Sequence, residues 1–328
     1  VESVRKAVYS FDLRVLNTIH QRVDVLNVFV CPKLWYKCAV LPMPSDVAKK
    51  LESIMIKFLW RGKLEKLSLT EICNSKEDGG LGLVEIRSKA DALLLKQTCR
   101  ILSAQDSKCW SHLKYWTGLY FGRIFPSLRP GPHSERVPEL YSQVKCLILE
   151  ALEDNSAEEI TKITAKEIYR QYTETLPPPK VVYKKEQVIW DSVWGNIHHP
   201  MFTVERREFL FLLTHNILPT GERIRRLNLG DGECDCGGGV ETPEHLFYTC
   251  VRTQSAWAWM RRKMETVAPA ARVFSEQDFL KLDFKSKILL WLISFYFHFV
   301  WNTVKDNKKD MNIEHLERAL KSEFDFFQ

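Results

Sequence analysis

Apolar residues recur three to four positions apart along the first part of the chain, which is the spacing of one face of an α-helix. Between Val4 and Tyr36, no glycine or proline interrupts this pattern before Pro32. The pattern therefore predicts one or two helices that pack on a shared core. Its apolar positions include Val8, Phe11, Leu13, Val15, Leu16, Ile19, Val23, Val25 and Leu26.

A second helical pattern follows a pair of prolines and places its apolar residues between Val47 and Leu59. Ser45 or Asp46 is expected to cap its first turn, because both side chains can accept a hydrogen bond from the unpaired amides of a helix start. Gly62 is expected to end the helix at the C′ position, where glycine is favoured.

A glycine-rich turn at Asp78–Leu83 leads into a third helical pattern over Ala90–Leu102. The composition changes from Pro126 to Tyr183, where prolines bracket a polar amphipathic stretch at Leu140–Tyr172. The consecutive prolines Pro177–Pro179 form stiff polyproline II, which acts as a spacer. We expect a connecting region with one or two helices of its own.

The last part of the chain also carries helical patterns, at Ala256–Met264 and Ile313–Phe327. The apolar run Ile288–Trp301 between them is shorter than the about 20 residues of a membrane-spanning helix and contains Ser294 and His298. We expect a buried helix there, against which the final helix packs. The whole pattern predicts a mainly α-helical protein.

Composition fits a folded chain long enough for two domains, with 328 residues, 45% hydrophobic and 27% charged. The net charge is +6, but Lys and Arg outnumber Asp and Glu by 20 to 12 from Val1 to Phe125, and the remainder is slightly acidic. This basic surplus is compatible with a surface that contacts phosphates, although a solvated helical face explains any single lysine equally well.

Nine cysteines without a paired framework indicate a reducing compartment. Charged residues precede any apolar run at the N-terminus, so we expect no signal peptide and an intracellular protein of the nucleus and cytoplasm. The lack of an initiator Met suggests a piece of a longer polypeptide. Six cysteines have apolar neighbours and are expected to be small core residues: Cys31, Cys38, Cys73, Cys99, Cys109 and Cys146.

The other three cysteines cluster with a histidine, as Cys234, Cys236, His245 and Cys250. Three thiolates and one imidazole are the complement of a structural zinc site, in which no coordination position is left for a substrate. The one-residue gap between the first two cysteines is tighter than the two-residue gap common in zinc motifs. Four scattered, reduced residues without a metal are the alternative.

Residues between these candidate ligands favour a compact site. Three consecutive glycines after Cys236 allow a sharp turn, and Thr242 followed by Pro243 predicts a helix start just before His245. On an ideal helix, His245 and Cys250 would point about 140° apart. We therefore expect Cys250 at the end of that helix, turned back toward the metal.

Two groups of short motifs resemble one protein family, in the order of that family. The first lies between Arg14 and Leu102 and comprises Pro-Lys-Leu-Trp-Tyr, Leu-Pro-Met-Pro, Phe-Leu-Trp-Arg-Gly, Gly-Gly-Leu-Gly-Leu and an Ala/Leu-rich helix. The second runs from Val188 to Trp257 and comprises a Trp-containing helix, a Leu-Pro-Thr turn, a basic helix and the Cys/His cluster. Together they resemble the thumb and the C-terminal zinc-binding region of LINE-type (non-LTR) retrotransposon reverse transcriptases.

This resemblance implies a thumb-like helical domain at residues 1–125 and a zinc-binding domain at 186–266. The change in composition adds a proline-bounded helical connector at 126–185, and the apolar pattern adds C-terminal helices at 267–328. The resemblance also implies that the chain binds element RNA and target DNA during target-primed reverse transcription. The polymerase palm and fingers would lie upstream. The same resemblance implies that the four residues of the Cys/His cluster are zinc ligands.

Two basic groups are the candidate nucleic-acid contacts, because Lys and Arg can bind backbone phosphates. For the second group, the arginines before the Cys/His cluster, the neighbouring Glu222 offers another explanation: a solvent-facing helix whose charges are paired. Near the cluster, Phe247 and Tyr248 could stack on bases, but their burial against the zinc fold is favoured. The groups are Lys49, Lys50, Lys57, Arg61 and Lys63, then Arg223, Arg225 and Arg226.

Polymerase chemistry requires carboxylates that hold two metal ions, typically an Asp-Asp pair, and the sequence contains no such pair. We therefore expect a nucleic-acid-binding chain that is not itself an enzyme. The main alternative is a zinc-stabilised protein-interaction scaffold in which the aromatic C-terminal helix docks a partner. A zinc hydrolase is disfavoured, because it would need an open coordination position.

Overall fold

The structure is a computed structural model of the chain and describes residues 1–62, 67–103, 111, 116, 138–154, 157–177, 188–306 and 311–326. Within these ranges the protein is mainly helical and has no β-strand, which confirms the predicted fold class. The contacts divide it into two units, Val1–Ser75 with Gly80–Pro178 and Lys76–Gly79 with Pro179–Gln328. The finer division into four regions stays a prediction.

Amphipathic helices build the first unit. The buried residues of its fourth helix, among them Leu51, Met55 and Phe58, repeat at helical spacing as the sequence predicts. The described helices are α1 (Glu2–Tyr9), α2 (Ile19–Val25) with a π-helical continuation (Leu26–Val30), α3 (Pro32–Cys38), α4 (Ser45–Leu59), α5 (Leu69–Cys73), α6 (Ile86–Ser103), α7 (Glu139–Asp154), α8 (Ala157–Lys162) and α9 (Ala165–Glu174).

The ends of α4 differ from the prediction. Pro44 occupies the N-cap position and no side chain caps the helix, so Ser45 and Asp46 lie within its first turn. At the other end Arg61, not Gly62, is the C′ residue with a φ of 54°. The amides of Arg61 and Gly62 donate to the carbonyls of Phe58 and Lys57, which is the Schellman pattern.

A second apolar cluster of the first unit joins α6 to the three helices that follow it. Its buried members include Leu95 on α6, Val144 and Ile148 on α7, Ile160 on α8 and Ile168 on α9. The predicted connecting region thus contains three helices in its described part, one more than expected. These helices are packed against α6 through their apolar faces.

Aromatic residues dominate the core of the second unit. Phe211, Phe247, Phe279, Tyr296 and Phe297 are among its largest fully buried side chains. The described elements are α10 (Trp190–Ile197), α11 (Val204–Thr214), α12 (Gly221–Arg226), a π-helical turn (His245–Thr249), α13 (Gln254–Val267), a 3-10 turn (Pro269–Val273), α14 (Glu276–Lys281), α15 (Lys287–Val300) with a π-helical continuation (Trp301–Asp306), and α16 (Ile313–Phe326).

The helix α15 lies at the centre of this core. The segment Lys287–Val304 is long and apolar enough to cross a membrane, but 72% of it is buried inside the protein. It is therefore the buried helix that the sequence predicts. The final helix α16 packs against it, with the Phe324 ring 6.1 Å from the Trp291 ring and the His315 ring 5.2 Å from the Phe299 ring.

The predicted core cysteines divide into two groups. Cys31, Cys38, Cys73 and Cys99 are buried, as expected, whereas Cys146 is exposed and its prediction is wrong. Cys146 lies on α7, whose buried face carries Val144 and Ile148 instead, so apolar neighbours in sequence did not place it in the core. The prediction for Cys109 falls outside the described residues.

Candidate metal centre and basic surfaces

The four candidate ligands come together in the second unit. The ligand atoms of Cys234, Cys236, His245 and Cys250 all lie within 4.8 Å of one another. The two sulfurs of Cys234 and Cys250 are 3.8 Å apart, and Cys236 Sγ lies 3.2 Å from His245 Nε2. Ligand bond lengths in tetrahedral zinc sites give separations of about 3.6–3.8 Å, so the cluster fits a single metal ion.

A tight turn presents the first two ligands. An isolated β-bridge pairs Glu233 with Val240, and the Cys234 amide donates to the Gly239 carbonyl at 2.8 Å. Gly237 and Gly239 have φ values of 73° and 100°, a region that only glycine adopts readily. The predicted role of the glycine run is confirmed.

The other two ligands lie at the ends of a π-helical turn. Thr242 Oγ1 accepts the His245 amide at 3.0 Å, which confirms the predicted cap. The Cys250 amide donates to the His245 carbonyl at 2.8 Å, an i to i+5 bond that replaces the α-helical one. This wider turn brings residue i+5 back toward residue i. Cys250 thus turns toward the cluster as expected, through a π turn and not through an α-helix that frays.

Two further hydrogen bonds support the ligands. The Gly238 amide donates to Cys236 Sγ at 3.3 Å, and Thr249 Oγ1 lies 3.4 Å from His245 Nδ1. Such outer contacts orient metal ligands and fix the histidine tautomer. A metal on Nε2 leaves the proton on Nδ1, where it can be donated to Thr249. The sequence reasoning missed this threonine, although its position four residues after the histidine is a usable signal.

Burial sets the electrostatics of the cluster. It raises the pKa of the Cys234 thiol to about 12 and also raises the pKa of the Cys250 thiol. The pKa of Cys236 lies below its ordinary value, because the Gly238 amide and neighbouring thiols outweigh the effect of burial. Buried thiolates need a cation to offset their desolvation. The donor set therefore fits a metal ion that binds sulfur and imidazole.

The π-helical turn is also part of the aromatic core. Phe247 and Tyr248 are 0% and 3% exposed, so their predicted burial is confirmed. Their rings lie 4.6 Å from those of Phe297 and Trp257. Tyr296 Oη donates to the Phe247 carbonyl at 2.7 Å. One short segment therefore carries two candidate metal ligands and also packs in the aromatic core.

The first predicted basic group lies on and just after α4. Lys49, Lys50, Lys57 and Arg61 are exposed, and the three lysines fall within about 100° of one helix face. Lys50 Nζ pairs with Asp46 at 3.0 Å, and Arg61 donates to the Leu16 carbonyl at 2.6 Å. Lys63 lies outside the described residues.

The second predicted group lies on α12. Arg225 and Arg226 are exposed, whereas Arg223 is only 8% exposed. Arg223 and Arg226 both donate to the Asn216 carbonyl, at 3.4 and 3.3 Å. The Arg223 side chain is thus held within the fold, and the outward charge of this helix comes from the other two arginines.

Three histidines outside the cluster have structural surroundings. His215 Nε2 lies 2.9 Å from the Gly79 carbonyl and its ring stacks on Trp194. His298 is packed against Phe209, and burial lowers its pKa to about 4. His215 is buried, and His298 is partly buried in the helix that the sequence predicts as buried. His198 follows α10 directly and is partly buried, and this burial lowers its pKa to about 4.

The fold and site together define a helical protein with a Cys₃His cluster that could hold a metal ion, and with exposed basic helices. No protein family model matches the sequence. Over 92 residues, 28% of this chain, it is 32% identical to the Transposon TX1 uncharacterized 149 kDa protein of Xenopus laevis. That match covers 7% of the relative, so the chain corresponds to a small part of it. The similarity supports a relation to transposon proteins.

Proposed function

We propose that the chain is the zinc-stabilised, nucleic-acid-binding C-terminal part of a LINE-type retrotransposon reverse transcriptase, or of a protein derived from one. It contacts element RNA and target DNA during target-primed reverse transcription and has no catalytic centre of its own. Polymerase palm and fingers would precede it in the natural product, and the site of action is intracellular. The similarity to a transposon protein and the ordered sequence motifs support this origin.

Zinc is the metal we assign to Cys234, Cys236, His245 and Cys250. Three sulfurs and one imidazole nitrogen suit zinc by softness and by tetrahedral geometry. When bound, the ion cross-links the glycine-rich turn to the π-helical turn. Four protein ligands leave no coordination position for a substrate, so its contribution is to folding.

Nucleic acid would bind through exposed cations. Lys49, Lys50 and Lys57 share one face of α4 and can follow a phosphate backbone, while Arg225 and Arg226 offer a second basic group in the other unit. Such contacts release condensed counterions, so affinity should fall steeply as salt rises. Arg223 is left out because its guanidinium is buried.

The observation that carries this proposal is the convergence of the four ligand atoms within 4.8 Å in a chain related to a transposon protein. Its test combines elemental analysis of the purified protein with RNA and DNA titrations at two salt concentrations. We expect one zinc ion per chain and salt-sensitive binding. Cys236→Ser should lose the metal, whereas Cys146→Ser, which changes an exposed cysteine outside the cluster, should retain it.

A protein-interaction scaffold is the second candidate, because an apolar groove of about 250 Å³ opens beside α15 and α16. Ile288 and Phe324 in this groove are 56% and 54% exposed. Zinc binding without any nucleic-acid binding at low salt would replace the first proposal with this one. The absence of bound metal would contradict both.

A further inference from the structure

A cleft of about 510 Å³ opens in the first unit between α1 and the C-terminal half of α4. Its volume lies in the range of about 300–1,000 Å³ that is typical of ligand sites. The basic groups predicted from sequence do not identify this cleft, although Lys57 and Arg61 belong to the first of them. Its wall combines segments that are distant along the chain. The lining residues are Arg5, Val8, Tyr9, Phe11, Leu13, Ile54, Lys57, Phe58, Arg61 and Gly62.

The cleft has a cationic lining. Arg5, Lys57 and Arg61 contribute three positive charges, and no Asp or Glu is among the lining residues. Arg5 also lies 3.5 Å from Glu2 on the exposed side of α1, and such solvent-exposed pairs exchange readily for another anion. The charge of the cleft is thus complementary to an anionic ligand.

Arg61 is held in place before any ligand binds. Its backbone has the left-handed conformation at the end of α4, and its Nη2 donates to the Leu16 carbonyl at 2.6 Å. A guanidinium has five N–H donors in a planar fork, so one such bond leaves donors for a phosphate. Pre-organisation of this kind lowers the entropy cost of binding.

The interior of the cleft is apolar and aromatic. Val8 and Phe58 are 4% exposed and form its buried base, and Phe11 packs against Phe29 with ring centroids 5.8 Å apart. Tyr9 at the margin is 76% exposed, so its ring is accessible to a ligand that enters the cleft. A ligand for this cleft therefore combines a negative charge with a flat apolar body.

A second cleft in the same unit has the opposite character. It measures about 390 Å³, and Asp91, Glu139 and Glu150 line it together with Arg87. Positive charge is therefore not a general property of the cavities of this unit. The cation-rich cleft is a local arrangement of α1 with α4.

We propose that this cleft binds one unpaired nucleotide of a single strand, RNA or DNA. The base stacks on Tyr9 and enters the apolar interior, while its phosphates contact Lys57 and Arg61. A duplex offers the same phosphates but keeps its bases stacked inside the helix, so it cannot fill the interior. The inference rests on the proposed nucleic-acid binding and narrows it to single strands.

The test uses fluorescence anisotropy with the full chain at low salt and four labelled probes: single-stranded RNA, single-stranded DNA, an abasic single strand and a duplex. Tyr9→Ala should weaken binding of the two intact strands about tenfold, since stacking contributes that order of affinity per base. It should leave the abasic strand and the duplex unchanged. Lys57→Ala should weaken the intact and abasic strands alike.

Tyr36→Ala is the matched control, because Tyr36 is another exposed tyrosine of the same unit, 86% exposed and outside the cleft. Equal effects of the two tyrosine variants would overturn the proposal, as would a Tyr9→Ala loss that extends to the abasic strand. Comparison of the RNA probe with the DNA probe shows which of the two nucleic acids the cleft prefers. If the wild type binds nucleic acid but Tyr9→Ala changes nothing, the cleft assignment fails alone; if no probe binds, the proposed function fails with it.

Discussion

The two units differ in what fills their cores. In the first unit the largest fully buried side chains are aliphatic, such as Ile19, Leu26 and Leu51, whereas in the second they are aromatic, such as Phe247 and Tyr296. Amphipathic helices build the described part of the first core. The second core includes the π-helical turn that also carries two candidate metal ligands. This difference suggests that stability depends on the metal in the second unit and not in the first.

Metal loss should produce the largest effect. Cys250→Ser removes a fully buried ligand, and structural zinc sites contribute several kcal/mol or more to folding. We expect the second unit to lose most of its amide exchange protection while α4 and α6 of the first unit keep theirs. Hydrogen exchange measured by mass spectrometry resolves the two units.

Cys146→Ser supplies the control, since this cysteine is exposed and lies outside the cluster. It should leave the exchange pattern unchanged in both units. Loss of protection across both units after Cys250→Ser would show that they unfold together. No loss anywhere would show that packing alone holds the π-helical turn.

Acid should act in opposite directions on two partly buried histidines of the second unit and on Asp91 of the first. Burial lowers the pKa of His198 and His298 to about 4, so the unfolded chain binds protons first as pH falls from about 6.5. The second unit then loses up to about 3 kcal/mol per histidine between pH 6.5 and 4. Burial, with Glu85 and Glu150, raises the pKa of Asp91 to about 6. Asp91 therefore adds stability to the first unit as pH falls from about 6 to 4.

Thermal unfolding followed by circular dichroism between pH 7 and pH 4.5 checks these signs. His298→Gln keeps the metal ligands and should reduce the acid sensitivity of the second unit, which separates this effect from protonation of the cluster. Asp91→Asn should remove the acid stabilisation of the first unit. A parallel decline of both units, unchanged in either variant, would contradict the assignment.

Removal of one tyrosine hydroxyl from each unit should give a smaller effect on stability and allows a matched comparison. Tyr296 Oη donates to the Phe247 carbonyl at 2.7 Å in the fully buried core of the second unit. Tyr169 Oη accepts the Glu85 amide at 3.0 Å in a partly buried site of the first. Tyr296→Phe should cost about 1–2 kcal/mol and Tyr169→Phe about half of that, because an unpaired polar group is more costly when fully buried. Urea denaturation measures both, and a larger cost at Tyr169 would contradict this order.

Local sequence could predict the Cys/His cluster but not the details of its support. The convergence of the four candidate ligands, the glycine turn and the Thr242 cap all depend on residues close together in the chain, and each is found where it was expected. The π-helical turn was missed, because periodicity reasoning assumes 3.6 residues per turn. Core packing of Phe247 and Tyr248 supports the wider turn, and such packing is a tertiary property.

Non-local features were the hardest to predict. Arg5 and Tyr9 lie four residues apart on α1, but only the packing of α1 against α4 brings them beside Lys57 and Arg61. Arg61 was expected before a glycine C-cap, yet it occupies the left-handed position itself. Its hydrogen bond to the Leu16 carbonyl compensates in part for the free-energy cost of that left-handed backbone conformation. Residue type at one position could not reveal a partner 45 residues away.

The smallest predicted effect concerns the exposed surface of the first unit. Asp46→Asn removes the partner of Lys50 on α4, and it takes a negative charge away from the lysine face. Because exposed ion pairs contribute little to stability, we expect the melting temperature to change only marginally. Affinity for single-stranded RNA at low salt should rise about twofold, since Lys50 no longer shares its charge. Glu317→Gln removes the same charge from an exposed pair with Lys263 in the second unit. An equal rise in both variants would mean that net charge, and not the α4 face, governs the affinity.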